Sequence, residues 1–85
     1  MTVWRLERDR ENIKIEIERL EKKMIEKQDD FQRATRRGDH AKAHQDRQTQ
    51  LQLAEKIRLL TRELILVERR LQIALEEEKK NPLCK

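Results

Sequence analysis

Apolar residues return along this chain every three and four positions. Val3, Arg10, Ile17, Met24 and Phe31 repeat every seven residues, and Leu6, Ile13, Leu20, Lys27 and Ala34 run beside them. Eight of these ten positions are apolar, the two-stranded heptad pattern of a helix with one buried seam. The second half repeats the pattern with Ala43, Gln50, Ile57, Leu64 and Leu71 alternating with Asp46, Leu53, Leu60, Val67 and Ala74, again eight of ten apolar. Two long helices are predicted.

The two series are out of phase. From Phe31 to its equivalent, Ala43, is a step of twelve residues, one heptad plus five, which matches neither of the single insertions of three or four that a continuous rod absorbs. The chain's only glycine lies in that step, within "RATRRGDHAKAH". Arg36 and Arg37 suit the negative end of a helix dipole, Gly38 suits the left-handed position just past a helix end, and Asp39 is a good N-cap for a second helix. The sequence therefore predicts a reversal at Gly38, in preference to one unbroken helix. Helix 1 is expected over about 2–36, the turn over 37–39 and helix 2 over about 40–80, all one unit, with 81–85 a disordered tail.

Antiparallel pairing with residue numbers summing to 77 sets Val3 against Ala74, Leu6 against Leu71, Ile13 against Leu64, Ile17 against Leu60, Leu20 against Ile57 and Met24 against Leu53, apolar on both sides throughout. Arg10 falls opposite Val67, where its aliphatic stem can lie across the seam. Towards the turn the layers become Lys27 with Gln50, Phe31 with Asp46 and Ala34 with Ala43, and this end is expected to be looser. The fold class expected is all-α: two long helices forming an antiparallel coiled-coil hairpin.

The seam does not use every apolar residue. Leu59, Leu66 and Ile73 repeat every seven residues on another face of helix 2, extended by Leu51 and Ile65, and helix 1 adds Trp4, Ile15 and Ile25. A contiguous wet apolar strip generally marks an interface. The expected occupant is a second copy, making a two-fold dimer and a four-helix bundle, or another helical or globular protein. Pairing in extended form, or exchange of helices between copies about Gly38, is the rival topology.

Composition narrows the function. With 45% charged residues, 35% hydrophobic ones and only Trp4 and Phe31 as aromatics, 85 residues cannot build a thick core or a catalytic cleft. The most apolar window, 57–75, carries six charges, so no membrane span is expected. The charged start has no secretory apolar region, and Cys84 has neither an intrachain partner nor the prenylation position, which favours an intracellular, cytoplasmic setting. The chain reads as a segment of a larger protein.

Chemistry-bearing motifs are sparse. No glycine-rich phosphate loop or activated nucleophile is present, the paired carboxylates fall on solvated helix, and no enzyme and no cofactor are expected. His40 and His44 share a helix face but lack a third ligand, and are read as a solvated first turn and not a metal site. Arg37-Gly38-Asp39 matches an adhesion tripeptide by letter, yet a turn accounts for the same residues. Of the net charge of +4, most falls in 32–50, where Arg33, Arg36, Arg37, Lys42 and Arg47 oppose two aspartates. Such a basic tip suits phosphate, an acidic partner or an anionic membrane, and electrostatic binding of nucleic acid through it is a third, weaker functional reading; without stacking aromatics beside it, sequence-specific nucleic-acid reading is not expected.

Two resemblances bear on partners. The run "KIRLLTREL", Lys56 to Leu64, resembles the second helix of HR1 antiparallel coiled coils, which implies binding of a Rho-type GTPase; the first helix departs from that family in lacking its glycine-containing segment. Ala34, Lys42, Ala43, Arg47 and Leu53 fall at spacings similar to UVR hairpins of bacterial excision-repair and Clp-type proteins, with His40 and Asp46 where an aromatic and an aliphatic are usual. The reading preferred from the residues themselves is a non-catalytic coiled-coil module for oligomerisation and protein binding.

Overall fold

A computed structural model describes residues 2–80. Two helices, α1 (Thr2–Arg37) and α2 (His40–Lys80), account for all of them except Gly38 and Asp39. The molecule measures 70 × 14 × 13 Å. A single helix through residues 2–80 would be roughly 120 Å long, so the chain folds back on itself as a hairpin. The tail 81–85, with Pro82 and Cys84, lies outside the described residues.

The reversal is a helix stop joined directly to a helix start. Gly38 has φ +76°, the left-handed region open to glycine at no steric cost. Its N–H donates to the Thr35 carbonyl at 3.1 Å and the Asp39 N–H donates to the Ala34 carbonyl at 2.9 Å, the paired bonds of a Schellman cap. Asp39 then starts α2: its carbonyl accepts the Ala43 N–H at 3.0 Å, and its Oδ1 accepts the Lys42 N–H at 3.1 Å. The carboxylate so placed satisfies one orphan donor and meets the positive end of the α2 dipole. Arg36 and Arg37 occupy the last turn of α1, as its dipole favours.

Burial follows the sevenfold pattern. Every residue of the two heptad series is buried or half-buried, and among the described side chains outside the seam only Glu16, Asp30 and Thr49 are sheltered to the same degree. Leu20, Ala34, Ala43, Leu53, Val67 and Leu71 form the buried core. Leu20 shares a cleft with Lys56 and Leu60, which bracket Ile57, so the middle of α1 lies beside the stretch of α2 that the antiparallel pairing calls for. The Arg10 Nε is buried with no hydrogen-bond partner while Val67 beside it in register is 8% exposed, as expected if the arginine stem covers that layer.

The tip corrects one expectation. The layers next to the turn are not the looser end: Ala34 is 2% exposed, Ala43 7% and Asp46 4%, among the lowest values in the molecule. Small alanines opposite one another, tied by a two-residue turn, leave little room for water in that last layer, whereas Phe31, Lys27 and Gln50 beyond it stay half-buried.

Ion pairs do not set the alignment. Among the described residues each one joins side chains three or four apart in one helix: Glu16 with Arg19, Asp30 with Lys27 and Arg33, Lys42 with Asp46, and Glu55 with Arg58. These support local helix weakly. The seam alone specifies which residue of α1 meets which of α2.

Gly38→Ala is expected to destabilise the hairpin by about 1 kcal/mol through left-handed strain alone, because nothing lies within 4 Å of the added Cβ. Gly38→Asn should cost less, since asparagine tolerates that region. Urea unfolding followed by circular dichroism measures both, and equal losses for the two would contradict the cap geometry.

Candidate interaction surface

The surface most able to engage another molecule is built on α2. Leu59, Leu66 and Ile73 are 53%, 52% and 55% exposed, in line along the helix with one heptad between neighbours. At 1.5 Å rise per residue the three sit about 10 Å apart. Their row is turned away from the seam by roughly a third of a revolution, so α1 leaves it uncovered. Leu59 also lines the cleft shared by Glu16, Leu20, Lys56 and Leu60, which makes the stripe continuous with apolar surface between the helices.

The other predicted apolar residues are exposed without forming one line. Trp4, Ile15, Ile25, Leu51 and Ile65 are each half or more exposed, and sequence reasoning left out Leu75, at 41%. In register Ile25 of α1 and Leu51 of α2 come level on the opposite side of the hairpin from Leu59, whereas Ile15 points to the outer pole of α1. Trp4 is covered on one face by Arg8, whose guanidinium lies 5.6 Å from the ring centroid. That cation–π contact partly accounts for Trp4 locally.

The tip residues Arg33, Arg36, Arg37, Lys42 and Arg47 are all exposed. Two of them are engaged: Arg33 lies 4.0 Å from Asp30, and the Lys42 Nζ lies 3.6 Å from the Asp46 Oδ2. Arg36, Arg37 and Arg47 have no ion-pair partner among the described side chains. His40 and His44 are exposed, and among the described residues no group of three or more His, Cys, Asp or Glu side chains gathers as a metal site.

Asp46 is the one buried polar residue described, and its Oδ2 has no hydrogen bond. It stands where the heptad asks for an aliphatic. The Lys42 ammonium, one turn earlier, compensates the charge from the rim. Nearer the middle, the Glu16 carboxyl is lowered from its ordinary pKa chiefly by the hydrogen bond from Arg19; desolvation opposes this next, and the charges of Arg19, Lys23 and Lys56 each add a lesser lowering. A lowered folded-state pKa contributes stability present above the unfolded value and lost as pH falls through the folded one; with the Glu16 side chain 39% exposed, solvent screening keeps that contribution small.

No helix described is long and apolar enough to cross a membrane. Compared with protein-family models, with curated proteins and with solved structures, the chain finds no match. The HR1 and UVR likenesses thus stay with the few residues that suggested them.

Asp46→Leu is expected to raise stability by about 1–3 kcal/mol, since a compensated buried charge is exchanged for the aliphatic the seam lacks. Lys42→Ala is expected to lower it by about 1 kcal/mol, leaving the carboxylate uncompensated, with the lysine's partial exposure moderating the loss. Thermal melts of the two variants check the opposite signs.

Proposed function

We propose that this chain is a non-catalytic coiled-coil module, part of a larger intracellular protein, whose role is to bring polypeptides together, in the first place two copies of itself. The observation that carries the reading is the exposed line of Leu59, Leu66 and Ile73, one heptad apart on a face of α2 that α1 leaves uncovered.

Surface area supports it. The chain exposes 7183 Å², whereas a compact monomer of its mass, 10.4 kDa, is expected to expose about 5400 Å². The excess follows from the rod's shape, which leaves no third layer over the two helices, and a second copy would cover part of it. Packing energetics support it too. No described side chain is fully buried, and Leu6, Ile13, Ile17, Met24, Ile57, Leu60 and Leu64 are only half-buried. Each fully buried aliphatic contributes about 1.5–3 kcal/mol, so half-burial returns about half, against ordering entropy of about 1–2 kcal/mol per residue. A further layer of protein would raise that return without adding to the chain that must be ordered.

Replacing Leu59, Leu66 and Ile73 together by Gln tests the reading. The expected result by sedimentation equilibrium is a wild-type dimer and a monomeric variant that keeps its helical circular dichroism. A wild-type chain that stays a folded monomer at high micromolar concentration would overturn self-association and direct attention to a globular partner, such as the Rho-type GTPase that the HR1-like run implies.

A further inference from the structure

The charges beside the apolar stripe carry the direction and alignment of the association. One row over from Leu59, Leu66 and Ile73, on the side nearer α1, lie Lys56, Glu63, Arg70 and Glu77. All four are exposed, and none forms an ion pair with a described side chain within the chain. Their signs alternate: plus, minus, plus, minus. Such a row is complementary to itself when reversed.

We propose that two copies pair α2 against α2 in antiparallel fashion, about a two-fold axis level with Leu66. This rests on the self-association reading of the stripe. In that register Leu66 meets Leu66 of the partner subunit, and Leu59 meets Ile73 of the partner subunit, so all three aliphatics of each copy are used. An antiparallel two-fold keeps the flanking row on the same side in both copies. Lys56 then comes level with the partner subunit's Glu77, and Glu63 with the partner subunit's Arg70, each pair occurring twice. The register that maximises apolar overlap is also the one that matches opposite charges along this row.

Alternatives lose one or the other. Sliding one copy by a heptad one way sets Leu59 against Leu66 but Ile73 against Gln52, and brings Lys56 level with Arg70; sliding it the other way brings Glu63 level with Glu77. In a parallel pair this row meets the outward row of the other copy: Lys56 and Glu63 face Glu55 and Arg62, of opposite sign, but Arg70 and Glu77 face Arg69 and Glu76, of their own sign, so attraction and repulsion cancel along it. That outward row, Glu55, Arg62, Arg69 and Glu76, does bring like charges level in the antiparallel register. It lies on the pole of α2 opposite the seam, in full solvent, where such pairs are screened.

Direction favours the charged row that attracts. On a helical wheel the stripe and its inner flank together face about 100° from the seam, close to the right angle at which a second hairpin completes a square of four helices. The cleft of Glu16, Leu20, Lys56, Leu59 and Leu60 opens on this side, so the partner also covers apolar surface between the helices.

The test uses the full chain with Cys84→Ser. Dimer dissociation constants are measured by sedimentation equilibrium at low and high salt for Glu63→Arg, Arg70→Glu and the double exchange, and circular dichroism verifies folding; neither residue belongs to the seam. Each single change is expected to weaken the dimer about tenfold at low salt, with the double exchange restoring it and high salt narrowing the differences. Cysteine cross-linking fixes polarity. Leu59→Cys mixed with Ile73→Cys is expected to form a mixed disulfide, while Leu59→Cys alone is not expected to link to itself, its copies being about 20 Å apart in this register. A dimer indifferent to the single charge changes, or ready Leu59→Cys self-linkage, overturns the alignment and leaves self-association standing. A wild-type monomer overturns the association reading beneath it.

Discussion

Two helices cannot enclose the seam between them. Each seam residue has the opposing helix on one side and water flanking it, and of the twenty seam positions only Leu20, Ala34, Ala43, Asp46, Leu53, Val67 and Leu71 are driven below a tenth exposed. The remaining features of the molecule stem from that limit. The hairpin is long because many weak layers must replace a few strong ones. It is strongly charged outside because nearly every position outside the seam is surface. Its spare aliphatics are conspicuous because no third element exists to cover them.

Much of this was legible in the sequence because it depends on period and phase. The sevenfold spacing of Leu6, Ile13 and Leu20 in one helix and of Leu53, Leu60 and Val67 in the other needs no tertiary information to place each set on one face, and the twelve-residue step from Phe31 to Ala43 excludes a straight continuation whatever the partners. Gly38 and Asp39 carry local backbone chemistry that operates at the same scale as the sequence window that reveals it. The structure moved helix boundaries by no more than a residue at the turn.

What the pattern did not reveal depends on closeness of approach. Counting Lys27, Asp46 and Gln50 as poor core residues makes the tip look weak, because a polar letter in a heptad says nothing about how near two backbones come. Ala34 and Ala43 decide that instead, and they carry Asp46 into a buried place where only Lys42 answers its charge. The binding surface was legible as leftover apolar residues, yet the sequence could not rank them. Coordinates do so, by separating a line of three on α2 from residues such as Trp4, already covered in part by Arg8, and Ile15 on an outer pole.

The tight reversal also fixes how the molecule would respond to being pulled. Thr2 and Lys80 lie at one pole of the rod and Gly38 at the other, so tension applied through the two chain ends acts across the seam and not along it. Layers would part in sequence, Val3 from Ala74 first and Ala34 from Ala43 last, each bearing the load alone. A hairpin of this kind yields gradually, like a zip, where a pair of helices pulled in shear from opposite ends would resist until all layers failed together.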